Sequence, residues 1–330
     1  MIKKPAVRWL MTIILLGILG FQLWSRSNHF ANLSLISFQK SLWWFMLVVV
    51  LMPANWILET IKWRTLLTIH VRVPFIYTLK TVAGGVALSI FTPNRIGEYG
   101  GRILYMPANA RWPVAISTLT GSFAQNLIAF SVGVFSSVFL FKGILILKIC
   151  GLILAAVGFF CFFNIRRVIS RISTLKIHSI FRKLGSNLRF VDEYSSGVLL
   201  KVLGFAFLRY MVYTTQYVLI LHAFEPEIQI RILFLGVSVV YLFQTVVPLP
   251  PLADVMARAN IGLVLWAGTG MGELSITLSS LMIWLINLLI PALIGSFIIG
   301  TTAPLISLDT NESNIPSAYM PLASKPTGKT

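Results

Sequence analysis

Between Phe91 and Arg102 the chain reads FTPNRIGEYGGR, which sets Pro93, Asn94, Arg95, Glu98, Arg102 and three glycines, Gly97, Gly100 and Gly101, between apolar segments. Charged, glycine-rich sequence at membrane depth is costly unless it lines a protein cavity or a water-filled vestibule, so this stretch points to a binding site. Pro93 can start a helix, and the exposed N–H groups of that helix's first turn attract an anion. Arg95 and Arg102 supply charge for a phosphate, with the bidentate geometry of guanidinium. The glycines let a ligand or a neighbouring helix approach the backbone closely. Glu98 can hold Arg102 in place, recognise a cationic headgroup or carry a proton. The alternative is structural: Glu98 and Arg102 form an ion pair in a tight helix crossing, and the glycines serve packing alone.

A second break, VPLPPLADVMAR from Val247 to Arg258, repeats the pattern, with Asp254 followed by Arg258 as Glu98 is followed by Arg102. In both, acid and arginine stand four residues apart with the acid first, which puts them on one helix face in the better orientation for a pair. Two such elements entering from opposite sides, with helix N-termini toward the midplane, match the plan of inverted-repeat transporters. The expected headgroup-binding set is therefore Pro93, Asn94, Arg95, Gly97, Glu98, Gly100, Gly101 and Arg102 with Asp254 and Arg258.

The elements that must position these residues are membrane segments. The 330 residues are 57% hydrophobic and 11% charged, and several apolar runs approach the roughly 20 residues that cross a bilayer. The net charge of +17 sits in the connections between those runs, which is the signature of a positive-inside membrane protein and argues against a nucleic-acid partner. Apolar runs are read at Trp9–Trp24, Trp43–Leu58, Val114–Phe141, Ile144–Phe163, Leu199–Phe224, Ile232–Val247 and Leu274–Ile299. No small-residue cleavage site follows the first run, so it reads as an uncleaved span with a cytosolic N-terminus. Lys62, Arg64 and Arg72 place the far end of the second run in the cytosol.

Phe75–Phe91 creates a conflict. Were it a span, the dense positive segment with Arg166, Arg167, Arg171, Lys176, Arg182, Lys183 and Arg189 would face outward, against the positive-inside rule. Entering and leaving on the cytosolic side resolves this, and Lys80, Gly84, Gly85 and Ser89 suit re-entrant backbone shielded by protein. The expected fold is an all-α polytopic membrane protein, with about six full transmembrane helices and two re-entrant elements, about eight membrane segments in all. Residues 1–302 form the membrane domain, in two pseudo-symmetric halves over 1–164 and 199–302 joined by the basic cytosolic segment 165–198. Residues 187–201 read as an interfacial helix, Glu225 and Glu227 as an outside loop, and the polar tail 303–330 as disordered.

Weaker signals carry less. Cys150 and Cys161 are eleven apart on one helical face, two to three turns from each other, too far to pair. His29, His70, His178 and His222 show no metal-ligand spacing, so no metal and no cofactor is expected. GTGMG at Gly268–Gly272 lacks a preceding strand and a Walker lysine and reads as a loop. The basic segment serves topology, and it can also gather anionic headgroups at a cytosolic entrance.

The PNRIGEYGGR stretch, the later proline-rich break with its acid and the placement of spans resemble the integral-membrane flippase region of lysylphosphatidylglycerol synthases and its stand-alone relatives. The resemblance runs from about Trp9 to Gly300, and Pro93, Gly97, Glu98 and Arg102 are its best-matched residues. It departs at Ala253–Asp254, where a glycine and a glutamate are usual, at Gln125 and Asn126, where relatives often carry charge, and across Trp284–Asn287. What it implies is a lipid translocase in a bacterial cytoplasmic membrane, moving a lipid with an anionic or zwitterionic headgroup. Without a synthase domain after Gly300, no enzyme activity is expected. With no ATP site in view, movement would be passive or ion-coupled, with Glu98 and Asp254 as proton carriers. Two other readings stand beside it: a non-catalytic subunit partnering a cell-envelope glycosyltransferase or lipid-modifying enzyme, and a membrane-embedded lipid-modifying transferase.

Overall fold

The computed structural model describes residues 42–90, 92, 96–106, 110–141, 143, 145–174, 189–247, 249 and 251–301. The Trp9–Trp24 run, Pro93, Asn94, Arg95, Pro248, the basic residues Lys176, Arg182 and Lys183, His29, His178 and the tail 303–330 lie outside them. Within the described residues the chain is helical and has no strand.

Helix α1 runs Leu42–Leu67, α2 Phe75–Ser89, α3 Gly97–Leu104, α4 Arg111–Leu140 and α5 Leu145–Phe163. The short helices α6 (Ile165–Thr174) and α7 (Arg189–Asp192) follow, then α8 (Ser196–Phe224), α9 (Ile230–Val246) and α10 (Pro251–Trp266). The last, α11, covers Glu273–Thr301 and holds a π turn at Leu285–Leu289. Helices α1, α4, α5, α8 and α11, of 26, 30, 19, 29 and 29 residues, are long and apolar enough to cross a membrane. This is a multi-pass membrane protein.

Local chemistry sets the breaks. Ser195 caps α8, its hydroxyl accepting the Val198 N–H at 3.3 Å. Pro291 has no N–H to give the carbonyl four residues back, that of Asn287, which accounts for the wider π turn at that point. Gly270, at φ +79, turns the chain in the loop between α10 and α11. The 187–201 stretch is not one continuous helix: α7 ends at Asp192, and the chain restarts at Ser196.

Helix α1 extends further than its apolar run indicates. The helix continues through Glu59 and Lys62 to Leu67, and both charged residues are buried. Lys62 is thus not a surface marker of the cytosolic end, because it has an acid one turn back on the same face. Helix α10, of 16 residues, begins inside the proline-rich break and runs to Trp266.

The order of lengths is long, short, short, long in α1–α4 and again in α8–α11. Helix α1 packs along α8, while α2 packs on α11 and α9 on α4, so each short apolar helix lies against the long helix of the other group. Both crossings turn on a glycine. A Cβ at Gly295 of α11 would stand 2.0 Å from the Ala83 carbonyl oxygen of α2, and one at Gly133 of α4 would stand 2.5 Å from Leu242 Cβ of α9. Each of these glycines is 22 residues past the start of its helix (133 − 111 and 295 − 273). Helix α5 is peripheral, with Leu145, Ile146, Leu147, Ile153 and Phe160 turned out as an apolar surface that calls for hydrocarbon around it.

Candidate functional site

Asn55, Glu59 and Lys62 recur every three or four residues along α1 and so share one face. That face meets Arg102 from α3 and Arg209 from α8. The Glu59 carboxylate is the hub, with Lys62 Nζ at 2.5 Å, Arg102 Nη2 at 2.8 Å and Arg209 Nη1 at 2.9 Å. Arg102, 2% exposed, also pairs with Glu98 one turn back and lies over the Trp63 ring at 4.7 Å. A buried carboxylate holding three cations is stable only because every partner is present; any one charge left alone at this depth would be expensive.

A chain of amides leads away from this cluster. Arg209 Nε donates to Asn55 Oδ1 at 2.9 Å, Asn55 Nδ2 to Asn287 Oδ1 at 3.2 Å, Asn287 Nδ2 to Gln216 Oε1 at 2.9 Å and Gln216 Nε2 to the Val48 carbonyl at 2.8 Å. Asn287 reaches its partners from the π turn, so the irregularity sets a polar side chain among α1, α8 and α11. Gln125 of α4 accepts from Lys62 at 3.2 Å and from Arg209 at 3.4 Å, and donates to the Ala206 carbonyl at 3.1 Å.

The second acid–arginine pair forms as well. Arg258 Nη2 donates to Asp254 Oδ2 at 3.1 Å, Gln244 donates to Asp254 Oδ1 at 2.5 Å, and the guanidinium lies 5.7 Å from the rings of Tyr217 and Tyr241. Arg209, Arg258, Asp254, Gln125, Asn126 and Asn287 are among the residues that line one cavity of about 250 Å³. Arg209 belongs both to the Glu59 cluster and to the cavity wall, which joins the two halves of the site.

The residues singled out from the first motif take different places. Glu98 and Arg102 pair and join the Glu59 cluster, but neither lines the cavity. Gly97 and Gly101 are packing positions: a Cβ there would stand 2.1 Å from the Leu88 carbonyl oxygen and 2.5 Å from Gly85 Cα. Gly100 faces open space. One N–H of the α3 first turn, that of Gly97, is taken by the Thr92 hydroxyl at 2.7 Å. Asp254 and Arg258 do line the cavity, whereas Pro93, Asn94 and Arg95 lie outside the described residues.

Glu59, Lys62, Arg209, Asn55 and Asn287 are the site residues that motif reading missed. Only Arg209 carried a signal of its own, since an ionisable residue inside a long apolar run is a functional candidate by itself. It lies in the middle of the Leu199–Phe224 run, whereas Glu59 and Lys62 follow the end of the Trp43–Leu58 run. Among the described residues no group of His, Cys, Asp and Glu stands together as a metal site.

Three side-chain contacts fasten the α7 region. His70 Nδ1 lies 3.2 Å from Glu193, the Tyr194 and Ser117 hydroxyls are 3.1 Å apart, and Arg166 pairs with Asp192 at 2.8 Å. Burial pushes the His70 imidazolium pKa below the usual histidine range, and Glu193 pulls only partly the other way. Burial raises the Tyr194 phenol above the ordinary tyrosine range. Comparison with protein-family models, with curated proteins and with solved structures finds no match for this chain.

Proposed function

We propose that the protein is a lipid translocase of the flippase type, in which a headgroup enters the cavity between Arg209 and Arg258 while the acyl chains stay in the surrounding hydrocarbon. The observation that carries this reading is the cavity itself. Charged and amide side chains from α1, α4, α8, α10 and α11 converge on one hollow among helices of membrane-crossing length. A polar hollow at that depth lowers the cost of carrying a charged headgroup through hydrocarbon. The reading moves the headgroup site from the first motif toward Arg209, Asp254 and Arg258, with Glu98 and Arg102 holding the cluster behind it.

In this reading α2–α3 and α9–α10 are two re-entrant elements, the five long helices and the Trp9–Trp24 run are six spans, and the N-terminus is cytosolic. Helix α2, at 15 residues, and α9, at 17, fall short of a comfortable crossing, and their reciprocal packing supports two related halves. Movement is passive or ion-coupled, in a bacterial cytoplasmic membrane.

Reconstitution tests it. Vesicles containing the full chain and a panel of headgroup-labelled lipids should show at least one lipid class crossing faster than in empty vesicles, and Arg258→Gln should slow it by about tenfold or more while the protein still folds. If no lipid moves faster than in empty vesicles, the translocase reading falls and the partner-subunit reading replaces it.

A further inference from the structure

The charges around the cavity do not balance. Among the described residues, Glu59, Glu98 and Asp254 face Lys62, Arg102, Arg209 and Arg258, three acids against four cations. Each acid is already held: Glu59 by three cations, Glu98 by Arg102, and Asp254 by Arg258 and Gln244. The surplus positive charge reaches the cavity wall. Arg258 is 8% exposed and lines the cavity beside Arg209, with Asp254 as the one acid on the wall among the described residues. An excess cation at a partly desolvated wall is stabilised by an anion.

The rest of the wall favours hydroxyls. A carboxamide has two N–H donors and two acceptor lone pairs, and Asn55 and Asn287 each use one of either kind within the amide chain. Asn126 is exposed on the wall, and its side chain makes no hydrogen bond among the described residues. Side chains with spare donors and acceptors together match groups that both give and take a proton, which is what a polyol offers. At about 250 Å³ the hollow lies just below the roughly 300–1,000 Å³ usual for small-molecule sites, a size for a headgroup and not for a whole lipid.

We propose that the cavity takes a lipid-borne phosphoester headgroup that carries free hydroxyls, with the phosphate held between Arg209 and Arg258 and the hydroxyls on the amides, and that it disfavours headgroups ending in an ammonium. This rests on the translocase reading and names its substrate class. Phosphatidylglycerol and phosphatidylinositol have the required chemistry. Phosphatidylethanolamine and lysyl-phosphatidylglycerol bring an ammonium to a wall whose one acid among the described residues, Asp254, is already paired with Arg258 and Gln244 and is outnumbered by Arg209 and Arg258.

The test is binding of short-chain forms of these four lipids to the purified full chain, followed by native mass spectrometry, with glycerol phosphate as a soluble competitor. The hydroxylated anionic pair should bind about tenfold or more tightly than the ammonium pair. Asn126→Asp places a carboxylate on the wall without removing a hydrogen bond, and it should narrow or invert that order. Equal binding of all four lipids, an unchanged order in Asn126→Asp, or binding of glycerol phosphate without any of the lipids each overturns the proposal. The same panel in vesicles separates it from the reading beneath it. Selective binding with no lipid movement ends the translocase reading alone, and movement without headgroup preference ends the headgroup proposal alone.

Discussion

Removing the Glu59 carboxylate would leave Lys62, Arg102 and Arg209 crowded together with only Glu98, which shares Arg102 Nη2 with it, to offset them. Lys62 stands differently: without it, Glu59 keeps two arginines and Gln125 keeps Arg209. Losing the hub of a buried ion cluster costs about 3–5 kcal/mol, whereas losing one charged hydrogen-bond partner from a surviving pair costs about 1.5–3 kcal/mol. Glu59→Gln should therefore lower the thermal midpoint in detergent more than Lys62→Met, whose chain keeps the apolar stem. The reverse order would mean that the lysine, not the acid, organises the cluster. Both residues were hard to weigh in the sequence because they sit at the end of an apolar run, where a charge normally marks the membrane surface. Only the continuation of α1 to Leu67, and the arrival of Arg102 and Arg209 from distant segments, turns them into buried partners.

The α2–α3 hairpin depends on backbone meeting backbone. Gly101 and Gly85 are so close that a Cβ on Gly101 would lie 2.5 Å from Gly85 Cα and 3.1 Å from the Gly84 carbonyl oxygen, while Gly100, one residue earlier, meets nothing within 4 Å. Gly101→Ala should cost about 1–3 kcal/mol by overpacking, and Gly100→Ala should be neutral or slightly stabilising, by up to about 1 kcal/mol, because alanine favours a helix over glycine. Thermal unfolding of the two variants side by side checks this, and equal effects would contradict the close crossing. The segment after α1 adds a pH dependence. His70 is buried against Phe190 and Tyr194, and its lowered pKa means that the unfolded chain binds a proton more readily than the folded one. Its contribution is then complete above the ordinary histidine pKa and is lost as pH falls below it. The drop in thermal midpoint between about pH 7.5 and about pH 5.5 should shrink in His70→Asn, and an unchanged drop would place the acid sensitivity elsewhere.

At the scale of the molecule, apolar run length and proline breaks made the helical membrane architecture legible, and the spacing of Glu98 to Arg102 and of Asp254 to Arg258 made both ion pairs legible. Helix partnering was not, since lipid-facing and protein-facing apolar residues look alike in composition and only small-residue contacts tell them apart. The cavity was hidden for the same reason: Asn55, Gln125, Arg209 and Asn287 lie on four different helices far apart in sequence, and their meaning lies in being neighbours. If the two groups of helices are related halves, their cross-group contacts should be energetically alike. Gly133 against Leu242 and Gly295 against Ala83 provide the comparison, each glycine at the same distance from its helix start and each too close to its neighbour for a Cβ. Gly133→Ala and Gly295→Ala should each lower stability, by about 1–3 kcal/mol and within about 1 kcal/mol of one another. Because the two crossings involve different helices, the double variant should lose close to the sum, to within about 0.5 kcal/mol. Thermal or denaturant unfolding of the three variants against wild type measures this. If one glycine tolerates alanine while the other does not, the two crossings are unrelated, and the two-halves plan on which the headgroup path is drawn loses its structural basis.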